Sequence, residues 1–579
     1  MRISQVKLQG FRNFKSDTIN FNDKTLIIGQ NDIGKSNLIH ALRLLLDKSL
    51  SENDLEPKDS DFYVHEEVTK IVVQIKFSDV TEDCIRSKFK GNISSENELI
   101  LQYEADKETK NYILKQGKDE DSLEEFEGRY YLRVINLLYV STKRDLKNYI
   151  KKEKLNLIKE SKASRKLSEE ESDEKNLKEI NSNLEFTNEQ IRNLHFVKNA
   201  TSSINNELGK LSTHHESNKL AFNVGPVSSD DFINSLELFS EVNGKGLKVG
   251  GDGRNNQIFL SLWAQANSKS IDSPTTRVTL YCIEEPEIHL HPQQQRKLAE
   301  YLINNLDSQV IITSHSPQIA CEFKPDSIVR LYNNTPDTKA ANNGCSTRFA
   351  DVVDDFAYRL NIIPAEAYFA KAVLLVEGPS ELLFYKSLAK ALDLDIDKHN
   401  ISILMVDGVG FDVYMAIFKE LNIPSVVRTD NDISKVPKKS YYQCAGVRRC
   451  INLYRSFFNE LPSIENLLEK ESDLIGMPSI SLSPEISKLI NDFKKEFETI
   501  GIFISKVDLE TDLADSPLFE ILTEYFNNTD DKEEIINKMQ NRKALFMYSF
   551  LKEKSTGLNC LDGDSLAKPL QKCIELAGE

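Results

Sequence analysis

The sequence predicts an α/β protein with two parallel-sheet domains in tandem. Two observations predict the first domain. Thr25–Ile28, the glycine-bounded loop Gly29–Ser36 and the run Asn37–Leu46 read as strand, loop and helix. Strand, loop, helix and strand then recur between Val278 and Thr313, an order that suits a parallel sheet. A third observation predicts the second domain. Apolar strand runs stand at Ala372–Val376, Ile401–Val406 and Pro424–Val427, with a helical stretch, Ser380–Leu392, between the first two.

The elements follow in order. Ile3, Val6 and Leu8, then Ile19 and Phe21, mark two short strands around the turn-like Gly10-Phe11-Arg12-Asn13-Phe14. Thr25–Ile28 is a buried strand. Asn37–Leu46 carries apolar residues at i, i+3 and i+4, the spacing of one helix face. Ile71–Phe77 reads as a further strand. From about Lys143 to His215, Lys, Glu, Asn and Ser dominate, and Pro and Gly almost vanish until Gly209. Residues 144–217 read either as a solvated helical segment or as an inserted helical arm for self-association. Strands return at Val278–Ile283 and Val310–Thr313, with a helix over Gln293–Leu306 between them. Asn333–Gly344 is a loop by its Asn, Thr, Pro, Asp and Gly content, which puts a boundary near 345–365. The first domain is expected over 1–355 and the second over 356–579, the latter with a C-terminal helical region.

Composition narrows the function classes. The 579 residues are 40% hydrophobic and 28% charged, with a net charge of −17. That balance argues against a simple basic DNA-coating protein but leaves room for a local basic surface. No run approaches the ~18 apolar residues of a membrane span, and Met1–Val6 alternates like a strand. Eight cysteines without a C-x-x-C pair fit free thiols in a reducing cytoplasm rather than disulfides or a structural zinc site. The chain is expected to be cytoplasmic, with no membrane partner.

Gly29-Gln30-Asn31-Asp32-Ile33-Gly34-Lys35-Ser36 matches G-x-x-x-x-G-K-[ST] between a strand and a helix. Its backbone N–H groups, with Asn31 and Gly34 in the loop, suit a phosphate cradle. Lys35 can reach the β- and γ-phosphates, and Ser36 can ligate Mg²⁺. The strand Val278–Ile283 ends in Glu284-Glu285: one carboxylate can hold Mg²⁺ and the other polarise the attacking water. His315 ends the next strand, where it can sense the γ-phosphate. His289 and His291 are expected to shape their loop or a subunit contact rather than hold a metal. Val249–Arg254, with Gly251 at its centre, precedes a helical run and suits phosphate binding.

These residues resemble the ABC-type ATPases of the RecF-like and OLD (overcoming lysogenization defect) families. Gly29–Ser36 resembles Walker A, Val278–Glu285 Walker B, Val249–Arg254 the signature loop and His315 the switch histidine. Gln74 is a candidate Q-loop glutamine. The resemblance implies that two such domains sandwich ATP, so the chain is expected to be at least a dimer, up to a tetramer.

In the second domain, Glu377 and Glu381 flank the helix start after Ala372–Val376. Asp430 and Asp432 follow the strand ending near Val427. Oxygen-only clusters suit Mg²⁺ or Mn²⁺. The pattern resembles a Toprim domain, the metal-dependent strand-cleaving fold, with Glu377 matching its glutamate, Asp430 and Asp432 its D-x-D, and Met405–Gly410 its middle strand. The order E-G-P-S-E, D-N-D, D-L-E-x-D-L, N-R-K is similar to the nuclease subunit of Gabija-type anti-phage systems, within the OLD family. That similarity implies that Asp508 joins the metal cluster and that Lys543 balances charge on the cleaved phosphate. Asp512 and Glu510 are further acidic candidates. Two metals roughly 4 Å apart would activate water and stabilise the leaving oxygen. Arg428, Lys435, Lys438, Lys439, Arg448, Arg449 and Arg455, interleaved with Tyr441, Tyr442 and Tyr454, are candidates for a DNA path.

The expectation is an ATP-binding, Mg²⁺- or Mn²⁺-dependent endonuclease acting on double-stranded DNA, with a helicase-like partner subunit. The alternatives are a RecF-type DNA-binding or repair protein without nuclease activity, and a nucleotide-switched scaffold.

Overall fold

The computed structural model describes residues 1–142, 155–211 except 156 and 160, short stretches between 220 and 258, 277–345, and 362–578 except 407, 409, 437, 478–481 and 528–530. The chain forms two compact units, one of residues 1–141, 275–287 and 292–579, the other of 142–274 and 288–291.

The first unit opens with β1 (Arg2–Phe11) and β2 (Phe14–Asn20), an antiparallel pair around the turn at Arg12 and Asn13. Their alternation puts Val6, Leu8 and Ile19 in the core. β3 (Lys24–Ile28) leads into the glycine-bounded loop and α1 (Lys35–Leu46). Leu38, Ile39, Leu42 and Leu45 recur on the helical period and are buried. At the far end of α1, Arg43 pairs with Asp47 at 2.8 Å. β4 (Lys70–Ser78), β5 (Leu99–Asp106), β6 (Tyr112–Gly117) and β7 (Glu124–Phe126) complete an antiparallel sheet in the order β2-β1-β4-β5-β6-β7. β8 (Ile135–Val140) then ends near the point where the chain enters the second unit.

The second unit contains α2 (Leu167–Arg192), α3 (His195–Leu211) and an antiparallel hairpin, β9 (Phe239–Val242) with β10 (Lys245–Lys248). None of the 26 residues of α2 is buried. The unit extends well past residue 217 to 274.

Back in the first unit come β11 (Val278–Glu284), α4 (Pro292–Asn304), β12 (Val310–Thr313), β13 (Ile328–Asn334) and β14 (Asp337–Ala340). They build a second sheet, β14-β13-β3-β12-β11-β8, parallel except at β14. Residues of both sheets and α1 share one apolar core, among them Leu42, Ile75, Leu101 and Ile311.

The remaining chain supplies β15 (Ala372–Val376), α5 (Pro379–Ala391), β16 (Ile401–Met405), β17 (Ser425–Thr429), a small sheet of β18 (Ile433–Lys435), β19 (Tyr442–Cys444) and β20 (Ile475–Met477), and α6 (Ala445–Phe457) between the last two. β21 (Ile502–Ile504), α7 (Leu509–Ala514), α8 (Lys543–Lys554) and α9 (Lys568–Gly578) follow. The parallel sheet runs β16-β15-β17-β21. Its connections leave β15 toward one edge and β17 toward the other, so the strand order reverses between those two strands. In parallel α/β sheets that crevice, at the carboxyl ends of the strands, is where ligands bind. The core beneath it includes Leu374, Phe384, Val426, Leu513, Phe550 and Leu570. A fully buried side chain such as Phe384 contributes roughly 1.5–3 kcal/mol by its removal from water.

Arg330 of β13 ties the two sheets together. It is buried, and its guanidinium donates to the carbonyls of Tyr368, Ala370, Leu421 and Asn422 at 2.8–3.2 Å. Its own strand neighbour is Ile28, which immediately precedes the glycine-bounded loop.

Candidate functional site

The nucleotide candidate lies at the carboxyl ends of β3, β12 and β11, three adjacent parallel strands. Gly34, with φ 107°, turns the loop into α1. A Cβ there would meet the Asn13 side chain at 2.0 Å. Asn13 donates to the Ile33 carbonyl at 2.8 Å, so the β1–β2 turn clamps the loop. The first turn of α1 has no acidic residue, leaving its positive end available to an anion. Asn31 and Ser36 are exposed, whereas Lys35 is buried. Lys35 Nζ donates to the carbonyls of Gly29 and Gln30 at 3.0 and 2.7 Å. Burial pushes its ammonium down to about 8, against the pull of Glu285, Asp32 and Glu287.

Glu284 is buried at the end of β11 and accepts from the Tyr139 hydroxyl at 3.0 Å. Glu285 follows with φ 43°, and its Oε1 lies 3.6 Å from His315 Nε2. Burial, then the Lys35 charge, lowers the His315 pKa. Glu287 accepts from Ser314 Oγ and from the His315 N–H, both at 2.7 Å, and its second oxygen is buried without a hydrogen-bond partner. Burial raises its carboxyl against those two bonds. Glu287 and Asn13 were not singled out from sequence. Their roles rest on bonds across 28 and 20 residues that leave no spacing signal. A phosphate-binding loop with an inward lysine and strand-end carboxylates suits a nucleotide carrying Mg²⁺. Gln74 does not belong here. It sits inside β4, paired between Lys7 and Gln102, and its amide donates to Glu120. Gly251 and the whole of 249–254 lie outside the described residues.

The second candidate lies at the carboxyl ends of β15, β17 and β21. Glu377 follows β15, Asp430 follows β17, and Asp508 follows β21 and caps α7. Glu377 Oε1 accepts from Thr429 Oγ1 at 2.5 Å, from the Asp430 N–H at 2.9 Å and from Arg449 Nη1 at 2.5 Å. The other arm of Arg449 bonds Asp432 at 2.8 Å. Asp430 accepts from Ser505 Oγ at 3.1 Å. Burial and the neighbouring Glu377 push its carboxyl up to about 7. Burial acts on Asp508 in the same direction, but hydrogen bonds from Thr511, with help from Lys543 and Gln540, outweigh it and lower its pKa. Lys543 Nζ lies 2.9 Å from Glu510, 3.2 Å from Asp508 and 3.9 Å from Asp430. Those carboxylates overcome its burial and raise its pKa.

Glu377, Asp430, Asp432, Asp508 and Lys543 thus come together from strand ends, joined by Glu510. Glu381 is buried in the first turn of α5, where it accepts from the Gly378 N–H at 3.2 Å. Asp512 is engaged elsewhere: one oxygen bonds Arg428 at 2.5 Å and the other the Lys506 N–H at 3.0 Å. Arg428 is not on a surface path. It is buried, donating to Tyr385, Ser505 and Asp512. Tyr454 is also buried, its hydroxyl bonded to Glu465. Lys435, Lys438, Lys439, Tyr441 and Tyr442 retain exposure. Among the described residues no group of three or more His, Cys, Asp or Glu side chains is arranged to hold a metal, because Arg449 and Lys543 stand between the carboxylates. The donor set still fits a hard cation: every donor is oxygen. Burial first, and then the adjacent Glu377, raise the Asp430 carboxyl, a cost of confining carboxylates that a bound cation would relieve. The Oδ1 of buried Asn431, between the two aspartates, also has no hydrogen-bond partner.

Two families of known proteins match the chain. Residues 24–322, just over half of the chain, match the family described as "AAA domain, putative AbiEii toxin, Type IV TA system". Residues 368–432 match the TOPRIM domain of overcoming lysogenization defect protein-like proteins. The chain is 27% identical to Endonuclease GajA of Bacillus cereus (strain VD045) over 97% of each chain. It is 23% identical to the Old nuclease of Escherichia phage P2, over 87% of this chain and 92% of that one. It is 30% identical to the OLD nuclease of Thermus scotoductus (strain ATCC 700910 / SA-01), over 27% of this chain and 32% of that one. The AAA model spans β3, β8, β11 and β12 of the nucleotide-binding sheet, and the TOPRIM model spans β15 to β17 of the sheet that follows: the chain belongs to the AAA-domain family, and its second part matches the TOPRIM domain of OLD-like proteins.

Proposed function

We propose that the chain is an ATP-binding, Mg²⁺-dependent endonuclease that hydrolyses phosphodiester bonds of double-stranded DNA in anti-phage defence. The observation that carries this reading is the convergence of Glu377, Asp430, Asp508 and Lys543 at the switch point of one parallel sheet. Glu377, Asp430, Asp432 and Asp508, with Glu381 beside them, would hold the divalent cations. Such ions supply an activated water and charge stabilisation for the leaving oxygen. Lys543, already beside three carboxylates, is placed to counter charge on the phosphate. Asp512 keeps Arg428 and the β21–α7 turn in place rather than ligating metal.

At the ends of β3, β11 and β12, Lys35 and Ser36 would hold the ATP phosphates and Mg²⁺, Glu284 the metal, and Glu285 the attacking water, with His315 beside it. Glu287 holds the His315 loop through Ser314 Oγ and the His315 N–H. Gly251 would complete the site of another copy, and a helicase-like subunit would be the protein partner. Incubating supercoiled plasmid with the protein and Mg²⁺, with and without ATP, tests the reading. Nicked circles are expected with Mg²⁺ and not with EDTA. DNA binding without any nicking in either condition would point instead to a non-cleaving, RecF-type protein.

A further inference from the structure

The carboxylate centre of the second sheet already contains a positive charge supplied by the chain. α6 packs against the Asp430–Asp432 loop so tightly that a Cβ on Gly446 would lie 2.3 Å from the Asp430 carbonyl oxygen. That contact aims Arg449, one turn further along α6, at the loop. Its side chain is largely buried, and its guanidinium bridges Glu377 Oε1 at 2.5 Å and Asp432 Oδ2 at 2.8 Å. A planar fork spanning two carboxylates is a strong, geometrically defined pair.

Glu377 Oε1 is oversubscribed. It accepts from Thr429 Oγ1, the Asp430 N–H and Arg449 together, whereas a carboxylate oxygen has two lone pairs. The Asp430 N–H is backbone and cannot withdraw without moving the strand, and Thr429 Oγ1 itself accepts from Arg449 Nη1, which fixes its hydroxyl beside Glu377. Arg449 is the donor on a long side chain from a separate helix. Asp432, its other anchor, is half-exposed, so the bridge can open from that side.

We propose that Arg449 is a built-in counter-cation that bridges Glu377 and Asp432 in the metal-free protein and competes with a divalent cation for them. This rests on the reading of those two side chains as metal-holding groups. Arg449 therefore sets the metal concentration at which the centre fills. No covalent bond of the protein is made or broken in the exchange: two ion pairs are replaced by metal–oxygen ligation while the guanidinium keeps its proton.

Mn²⁺ titration of the full-length protein without ATP or DNA, followed by the EPR signal of free Mn²⁺, tests this directly. Arg449→Gln removes the charge and should tighten Mn²⁺ binding at least about tenfold, the scale of one charged hydrogen-bonded pair. Arg449→Lys keeps a charge but not the fork, and should fall between the two. Glu377→Gln should lose the site. If Arg449→Gln binds Mn²⁺ no more tightly than the parent, or more weakly, Arg449 merely orders Glu377 and the proposal is overturned. If the parent and Glu377→Gln titrate identically, the metal-centre reading beneath it falls as well. Should Arg449→Gln fail to fold, Arg449→Lys carries the comparison, with tighter binding than the parent still required.

Discussion

His40 shows how a single residue inherits its chemistry from its surroundings. It lies on α1, its ring stacked on Phe11 at 6.3 Å, and burial with the nearby Arg12 charge pushes its pKa down to about 4. Between that value and an unfolded pKa near 6.5, the unfolded chain binds the extra proton, so stability rises with pH across this window. The contribution is complete above about pH 6.5 and lost as pH falls toward 4. Dropping from pH 7 to pH 5 should cost the parent about 2 kcal/mol more than His40→Leu, at 1.36 kcal/mol per unit. Urea midpoints at the two pH values measure the difference, and equal losses would refute it. At this scale the acidic residues of the nuclease centre were legible because each follows an apolar strand run. Arg449 was read only as one basic residue among several on a surface. Its partners Glu377 and Asp432 lie 72 and 17 residues away, distances at which no spacing rule operates. Arg428 misled for a related reason. A lone arginine after an apolar strand looks like a strand-end surface residue, yet its ion pair with Asp512 spans 84 residues.

Elements were legible wherever the period was clean. β3, α1, β11, β12, β15 and β17 stand within a residue or two of the runs that predict them, because buried parallel strands are short and uniformly apolar. The antiparallel sheet β2-β1-β4-β5-β6-β7 was only partly visible. Its later strands interleave polar residues, and its β1–β4 pairing skips over β3 and α1. That sheet also explains the misplacement of Gln74, which sits in a strand face rather than a loop. The helical arm is the element whose surface asks for a partner. Phe186, Leu194, Phe196, Ile204 and Leu208 are exposed on or beside α2 and α3, and helices this polar gain little stability alone. The nucleotide-free protein is therefore expected to be at least a dimer by light scattering at micromolar concentration. Phe196→Glu with Leu208→Glu should shift its mass toward the 66.0 kDa of one chain. A parent mass of 66.0 kDa would refute assembly through the arm.

At the scale of the molecule, the strands around the phosphate loop and the whole of the second expected domain lie in one compact unit, residues 1–141, 275–287 and 292–579. From the strand beside the phosphate loop, Arg330 binds four backbone carbonyls in the segments leading into β15 and β17, and backbone acceptors carry no side-chain signature that a sequence could show. The sequence keeps two chemistries apart all the same: one lysine-bearing loop proposed for phosphate, one carboxylate centre proposed for metal. That separation of chemistry on a joined scaffold is tested most directly by a matched pair of variants. Plasmid nicking in Mg²⁺ without ATP, and ATP binding in the same preparations, are measured for the parent, Lys35→Ala and Glu377→Ala. Lys35→Ala should weaken ATP binding roughly 10- to 100-fold, the 1.5–3 kcal/mol of a charged hydrogen bond, and still nick. Glu377→Ala should bind ATP like the parent and lose nicking by roughly 100-fold, the upper end of the loss seen even for groups that only support a metal ligand. Full nicking by Glu377→Ala, or ATP binding unchanged in Lys35→Ala, would contradict the assignment of these two sites.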